Sequence, residues 1–162
     1  MPKSNLKGYP EEKDLNEYEI LNLKNEAKLS ERKRSCKIIH GRGDYQNRVY
    51  NYLLRDTYMQ PHMHPMDYMN EEIMLIHGKL NIYQFDKIGS ILLVEKLSCK
   101  GQAIIVKSKE WHTYTVESDY VVTYETMDGV YDPRTWKSMS TWAPRECDKN
   151  AVQYLRALKE EK

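Results

Sequence analysis

The sequence predicts an all-β protein, a barrel or jelly roll with a short helix at each end. Three observations lead there. Between residues 36 and 126, eight short segments follow one another: CKIIH, RVYNYLL, EIMLIHG, KLNIYQF, ILLVEKL, QAIIVK, HTYTVE and YVVTYET. Each is rich in β-branched and aromatic residues. Polar or glycine-bearing joints separate them, among them Gly41-Arg42-Gly43-Asp44, Gly78-Lys79, Asp86-Lys87-Ile88-Gly89, Lys100-Gly101 and Glu117-Ser118-Asp119. No helical period intervenes, which points to a sandwich or barrel, and a closed form avoids exposed strand edges.

In chain order, residues 1 to 16 read as a flexible lead-in. EYEILNLKNEAKLSE then places Tyr18, Leu21, Ala27 and Leu29 at near-helical spacing, with strong helix formers between them, so a helix over about 16–30 with Asn16 as its cap is expected. Arg32-Lys33-Arg34 reads as a solvated turn. The strands follow. Beyond residue 127 the pattern fades into MDGVYDPRTWKSMSTWAPRE, an aperiodic stretch expected to wrap across the barrel. The tail DKNAVQYLRALKEEK returns to helical spacing through Val152, Leu155 and Leu158, with Asp148 as the expected cap. The division expected is lead-in and helix over 1–34, barrel over 35–146 and helical tail over 147–162.

The 162 residues suit one domain. A formal net charge of +1 gives no electrostatic case for nucleic acid or an anionic membrane as partner. No apolar run has the length of a membrane span, and the polar N-terminus is unlike a signal peptide. Three cysteines (Cys36, Cys99 and Cys147), widely spaced, fit a reduced cytoplasmic protein. Thirteen tyrosines against one phenylalanine fit a semi-polar cavity, because a buried phenol needs a hydrogen-bond partner.

PHMHPMDYMNEE, residues 61 to 72, carries the chemistry. Residues two apart in a strand point the same way, so His62 and His64 share a face. In the following strand Glu71 shares a face with Ile73, Leu75 and His77, and Glu72 lies on the other; parity admits only one of the two acids. His112 opens a later strand. Two histidines, a carboxylate and a distant third histidine suit a divalent metal that favours imidazole, with positions left open for substrate or water.

The stretch PHMHPMDYMNEEIMLIHGKLNIYQFD resembles the first motif of the cupins: His-x-His, a spacer, Glu, six residues, Gly. Six residues separate Glu71 from Gly78, so family spacing and strand parity agree on it. The spacer after His64, six residues, is longer than usual. Gly101-QAIIV-Lys107-Ser108-Lys109-Glu110-Trp111-His112 keeps the length of the second motif, with Lys107 and Lys109 where proline and glycine are usual, and Val116 where asparagine is. Over about residues 17–146 the chain also resembles the WbuC-type cupin-fold metalloproteins of polysaccharide gene clusters. The carrying pieces include Gln46-Asn47-Arg48, Tyr58-Met59-Gln60-Pro61-His62-Met63-His64-Pro65, Trp111-His112-Thr113, Glu125-Thr126-Met127-Asp128-Gly129-Val130-Tyr131 and Trp142-Ala143-Pro144-Arg145-Glu146. The resemblance implies a double-stranded β-helix holding one metal (Fe, Mn, Ni, Zn, Co or Cu) on His62, His64, Glu71 and His112.

The first functional expectation is a metal-dependent enzyme acting on a small polar molecule such as a sugar or sugar-nucleotide derivative, by isomerase, epimerase or dioxygenase chemistry. His77 and Glu125 are its candidate catalytic bases if they face inward; Glu125 shares parity with Val121 and Thr123. Arg48 is a candidate for an anionic group of the substrate, and Tyr58 and Tyr131 for the pocket mouth. The alternatives are a non-catalytic metal-dependent binding or sensing domain and a plain structural barrel. A homodimer is the expected assembly.

Overall fold

The computed structural model describes residues 15–161, so nearly all of the expected lead-in lies outside the described residues. Helix α1 (Glu17–Leu29) starts where the sequence places it. Asn16 Oδ1 accepts from the Glu19 amide at 3.0 Å, and Glu19 Oε2 accepts from the Asn16 amide at 2.8 Å, a reciprocal capping box.

Ten strands follow: β1 (Arg34–Ile38), β2 (Gln46–Leu54), β3 (His62–Met63), β4 (Glu71–His77), β5 (Leu80–Phe85), β6 (Ile91–Leu97), β7 (Ala103–Val106), β8 (Trp111–Val116), β9 (Tyr120–Asp128) and β10 (Ser138–Met139). They form two five-stranded sheets in the orders β1-β2-β9-β4-β7 and β10-β3-β8-β5-β6, and every pairing is antiparallel. The fold is a double-stranded β-helix. All eight expected strand segments are present. The two-residue β3 and β10 are additional, and they are too short to leave a periodic signal.

The sheets close on an apolar core that includes Leu53, Ile73, Leu75, Leu80, Ile82, Val116 and Val121. The outer face of the first sheet is covered by α1, whose Leu23 and Ala27 pack on Tyr50, Tyr52, Met74, Val122 and Tyr124. β4 therefore buries both faces in its middle, Ile73 and Leu75 inward and Met74 beneath the helix. Helix α2 (Ala151–Glu160) closes the second sheet, with Leu155 beside Tyr58 and Leu158 beside Tyr83 and Phe85. Its N-cap is Asn150 rather than Asp148. The Asp148 side chain instead accepts from the Asn150 amide at 2.9 Å, within the turn that precedes the helix.

Most of the buried tyrosines weld layers together instead of lining a cavity. Tyr83 donates to the Leu158 carbonyl at 2.9 Å, and Tyr52 stacks on Tyr120 with centroids 4.9 Å apart. Gly78 makes the β4–β5 turn at φ +92°, where a Cβ would run into the Tyr120 carbonyl oxygen. No helix among the described residues is long and apolar enough to cross a membrane. All three cysteines are free.

Candidate metal centre

One end of the barrel gathers the imidazoles. β3 pairs with β8 so that His62 lies directly opposite His112. His64 follows on the same face, and Glu71 enters from β4 in the opposing sheet. All four residues are buried, His112 completely. Each offers one ligand atom, and these atoms lie within 4.8 Å of one another. Glu71 Oε2 stands 3.2 Å from His64 Nε2 and 3.0 Å from His112 Nε2. Neighbouring ligands around one ion with bonds of about 2.0–2.2 Å stand roughly 3 Å apart, so the donor set fits a transition metal in both spacing and chemistry.

The far ring nitrogens fix the tautomers. His62 Nδ1 lies 3.0 Å from the Gln60 carbonyl, His112 Nδ1 2.9 Å from the Glu110 carbonyl and His64 Nδ1 2.8 Å from the Trp136 carbonyl. A carbonyl only accepts, so each Nδ1 carries a proton and each Nε2 faces the cluster, where a bound metal would take the place of the proton that His64 and His112 share with Glu71. Burial, and then the charge of His112, holds the His62 pKa well below its ordinary value. Burial alone would raise Glu71, but hydrogen bonds from His112 and His64 outweigh it and hold the carboxyl well below the usual range. His64 is pushed the other way: burial lowers it, and the hydrogen bond and charge of Glu71 more than reverse that.

The second-motif turn departs from the cupin pattern in sequence more than in shape. Lys109, where glycine is usual, takes the left-handed φ of +66°, a conformation that costs a side-chain-bearing residue roughly 1–2 kcal/mol. Its amide donates to the His64 carbonyl at 2.8 Å, tying the turn before His112 to the histidine pair.

A cavity of about 360 Å³ opens beside the cluster. Of the candidates from sequence, Glu125 and Tyr131 line it. Glu125 Oε2 accepts from Asn51 Nδ2 at 2.5 Å and Oε1 from Thr123 Oγ1 at 3.3 Å. Burial, and then the nearby Glu71 charge, push its pKa up to about 8. Tyr131 stands edge-on to Trp136 with centroids 5.1 Å apart.

The other three candidates do not line it. Arg48 has the opposite parity to its inward neighbours Asn47, Val49 and Asn51, so it projects from the outer face of β2. His77 lies beyond a register shift in β4, exposed and stacked on Tyr120 at 4.4 Å; simple alternation from Glu71 breaks at that irregularity. Tyr58 donates to the Pro144 carbonyl at 2.7 Å and packs edge-on against Tyr154, a structural contact beneath α2.

A cationic part of the cavity lining was not foreseen. Arg34, expected in a solvated turn, opens β1 with its side chain only 10% exposed, and its Nη2 meets Glu146 Oε1 at 2.5 Å. Arg32 Nε reaches the other oxygen of the same carboxylate at 2.8 Å. Lys137 joins both at the cavity mouth, on the segment whose Trp136 carbonyl orients His64. Crowding by protein, and then the charges of Arg34 and Arg32, hold its pKa below the ordinary lysine value. None of the three carried a usable signal in sequence: Arg32 and Arg34 read as a solvated turn and Lys137 lies in the aperiodic stretch.

Residues 15–97 match the model of a domain of unknown function, DUF6016, just over half of the chain. The chain belongs to the DUF6016 family. No curated protein matches this DUF6016 chain. Solved structures do, at low identity. A Klebsiella pneumoniae protein with a double-stranded β-helix domain is 13% identical with a TM-score of 0.54, over 68% of this chain and 82% of that one. The oxalate decarboxylase of Lactobacillus farciminis, as its formate complex, is 11% identical with a TM-score of 0.55, over 68% of this chain and 32% of that one. The DMSP lyase DddQ of Ruegeria pomeroyi is 15% identical with a TM-score of 0.54, over 69% of this chain and 54% of that one. The DUF6016 chain thus spans about a third of the length of the oxalate decarboxylase it matches. At these identities the likeness is one of fold, the cupin double-stranded β-helix.

Proposed function

We propose that this DUF6016 protein binds one divalent transition metal on His62, His64, Glu71 and His112 and acts as a metal-dependent enzyme on a small polar substrate held beside it. The observation that carries this reading is the convergence of four buried ligand atoms within 4.8 Å, with each imidazole already turned by a backbone carbonyl. The oxalate decarboxylases and the DMSP lyase of the same fold support an enzymatic role, since their names record chemistry on small polar molecules. A metal bound here supplies Lewis acidity and lowers the pKa of coordinated water.

The chain's own residues supply the rest. Glu125 is a carboxyl in a cavity open to ligand, pushed up to about 8 in the metal-free protein by burial and then by the Glu71 charge, and is the group we assign to proton transfer. Asn51 fixes the orientation of that carboxyl. Tyr131 and Trp136 wall the cavity from solvent on one side. A volume of about 360 Å³ accommodates a sugar ring, and the nucleotide of a sugar nucleotide would project from the mouth. The WbuC-type resemblance points to the same substrate class.

The test is elemental analysis of tag-free protein and of the His62→Ala/His64→Ala double variant. We expect about one metal per chain in the first and little in the second. Wild-type protein that stays metal-free after exposure to Fe, Mn, Ni and Zn salts would overturn the reading.

A further inference from the structure

We propose that the wall formed by Arg32, Arg34 and Lys137 is an anion subsite, and that the ligand of this cavity carries a carboxylate or phosphate held by Lys137. The inference deepens the metal reading, which accounts for the other end of the same ligand.

Charge balance is the first argument. Arg32 and Arg34 share one carboxylate, Glu146, with contacts of 2.8 and 2.5 Å. That trio retains a positive charge. Among the described residues no carboxylate lies within 4.0 Å of the Lys137 ammonium, whereas Lys33 and Lys109 both have aspartate partners. The other carboxyl lining the cavity, Glu125, is engaged by Asn51 and Thr123 and makes no ion pair with Arg32, Arg34 or Lys137. The remaining acid, Glu71, is engaged by two histidines. A divalent metal adds to the excess. A neutral ligand would leave these cations crowded together, and an anion relieves them.

Placement is the second. Lys137 follows directly on Trp136, whose carbonyl sets the His64 ring, and both residues line the cavity with His62, His64 and Glu71. One ligand can therefore span the metal ligands and the ammonium. Lys137 is itself solvent-exposed at the mouth, so its charge is available to an entering molecule. Its flexible stem suits a point-charge contact, with Arg34 held rigidly behind it by Glu146, Thr57 and the Tyr58 carbonyl.

The experiment is titration calorimetry with three probes on one carbon skeleton: glycerate, glycerol 3-phosphate and glycerol. It uses wild-type, Lys137→Met and Lys137→Arg proteins, each with its metal content measured. We expect at least one charged probe to bind at least tenfold more tightly than glycerol. The Met variant should weaken that binding roughly 10- to 100-fold, and the Arg variant should restore most of it, at equal metal content. The tighter of the two charged probes identifies the head group. Equal binding of glycerol, no binding of either anion at millimolar concentration, or a Lys137→Met protein that binds as wild type would each overturn the subsite. If the wild type takes up no metal yet binds an anion through Lys137, the metal reading fails and the subsite stands.

Discussion

Glu71 and Glu72 are adjacent carboxylates with opposite surroundings. Strand parity made the difference legible, and the hydrogen bonds of Glu71 to His64 and His112 place it in the cluster. Glu71→Ala is expected to lower metal affinity at least tenfold while Glu72→Ala changes it little; equilibrium dialysis with Zn(II) or Ni(II) reads both. Glu125 gives a pH prediction. Its folded pKa of about 8 lies above the ordinary 4.5, so the folded state holds more protons across that interval, and metal-free protein loses stability as pH rises through it. The slope is at most about 1.4 kcal/mol per pH unit. Glu125→Gln should flatten it, leaving the variant more stable than wild type at pH 8 by urea unfolding; an unchanged slope would place the proton elsewhere. Lys137 had no such legibility. It sits in an aperiodic stretch, and only the packed chain brings it beside Arg34, about a hundred positions away in sequence.

At the level of elements, the long strands could be read because alternation and turn chemistry agree. β3 and β10 could not, since two residues make no pattern and their pairing is decided by the barrel. The cap of α2 falls on Asn150, with no side-chain cap bond of its own, because the Asp148 carboxylate is taken up by the Asn150 amide in the turn before the helix. The register shift in β4 removed His77 from the interior, so His77→Ala should leave metal content unchanged. Gly78→Ala should cost more than about 2 kcal/mol, from left-handed strain and the overlap with the Tyr120 carbonyl together. Leu158→Ala should cost about 2–4 kcal/mol, because α2 loses its contact with Tyr83 and Phe85. Denaturant titration checks both.

Over the whole molecule, the proposed metal ligands join the two sheets, with His62 and His112 in one, His64 just beyond the end of β3, and Glu71 in the other. Metal binding should therefore stabilise the entire fold. At a hundredfold excess over Kd the gain is about 2.7 kcal/mol, and a chelator should lower Tm by several degrees. The jelly roll was legible in the spacing of strands, whereas the order of strands within each sheet was not, because it depends on contacts far apart in sequence. His64 is steered by the main-chain oxygen of residue 136, a group that every amino acid possesses. The Lys137 side chain that follows that oxygen is thus free to change without removing the histidine's hydrogen bond. This fold can retune what it recognises at the mouth while its inner chemistry is inherited intact.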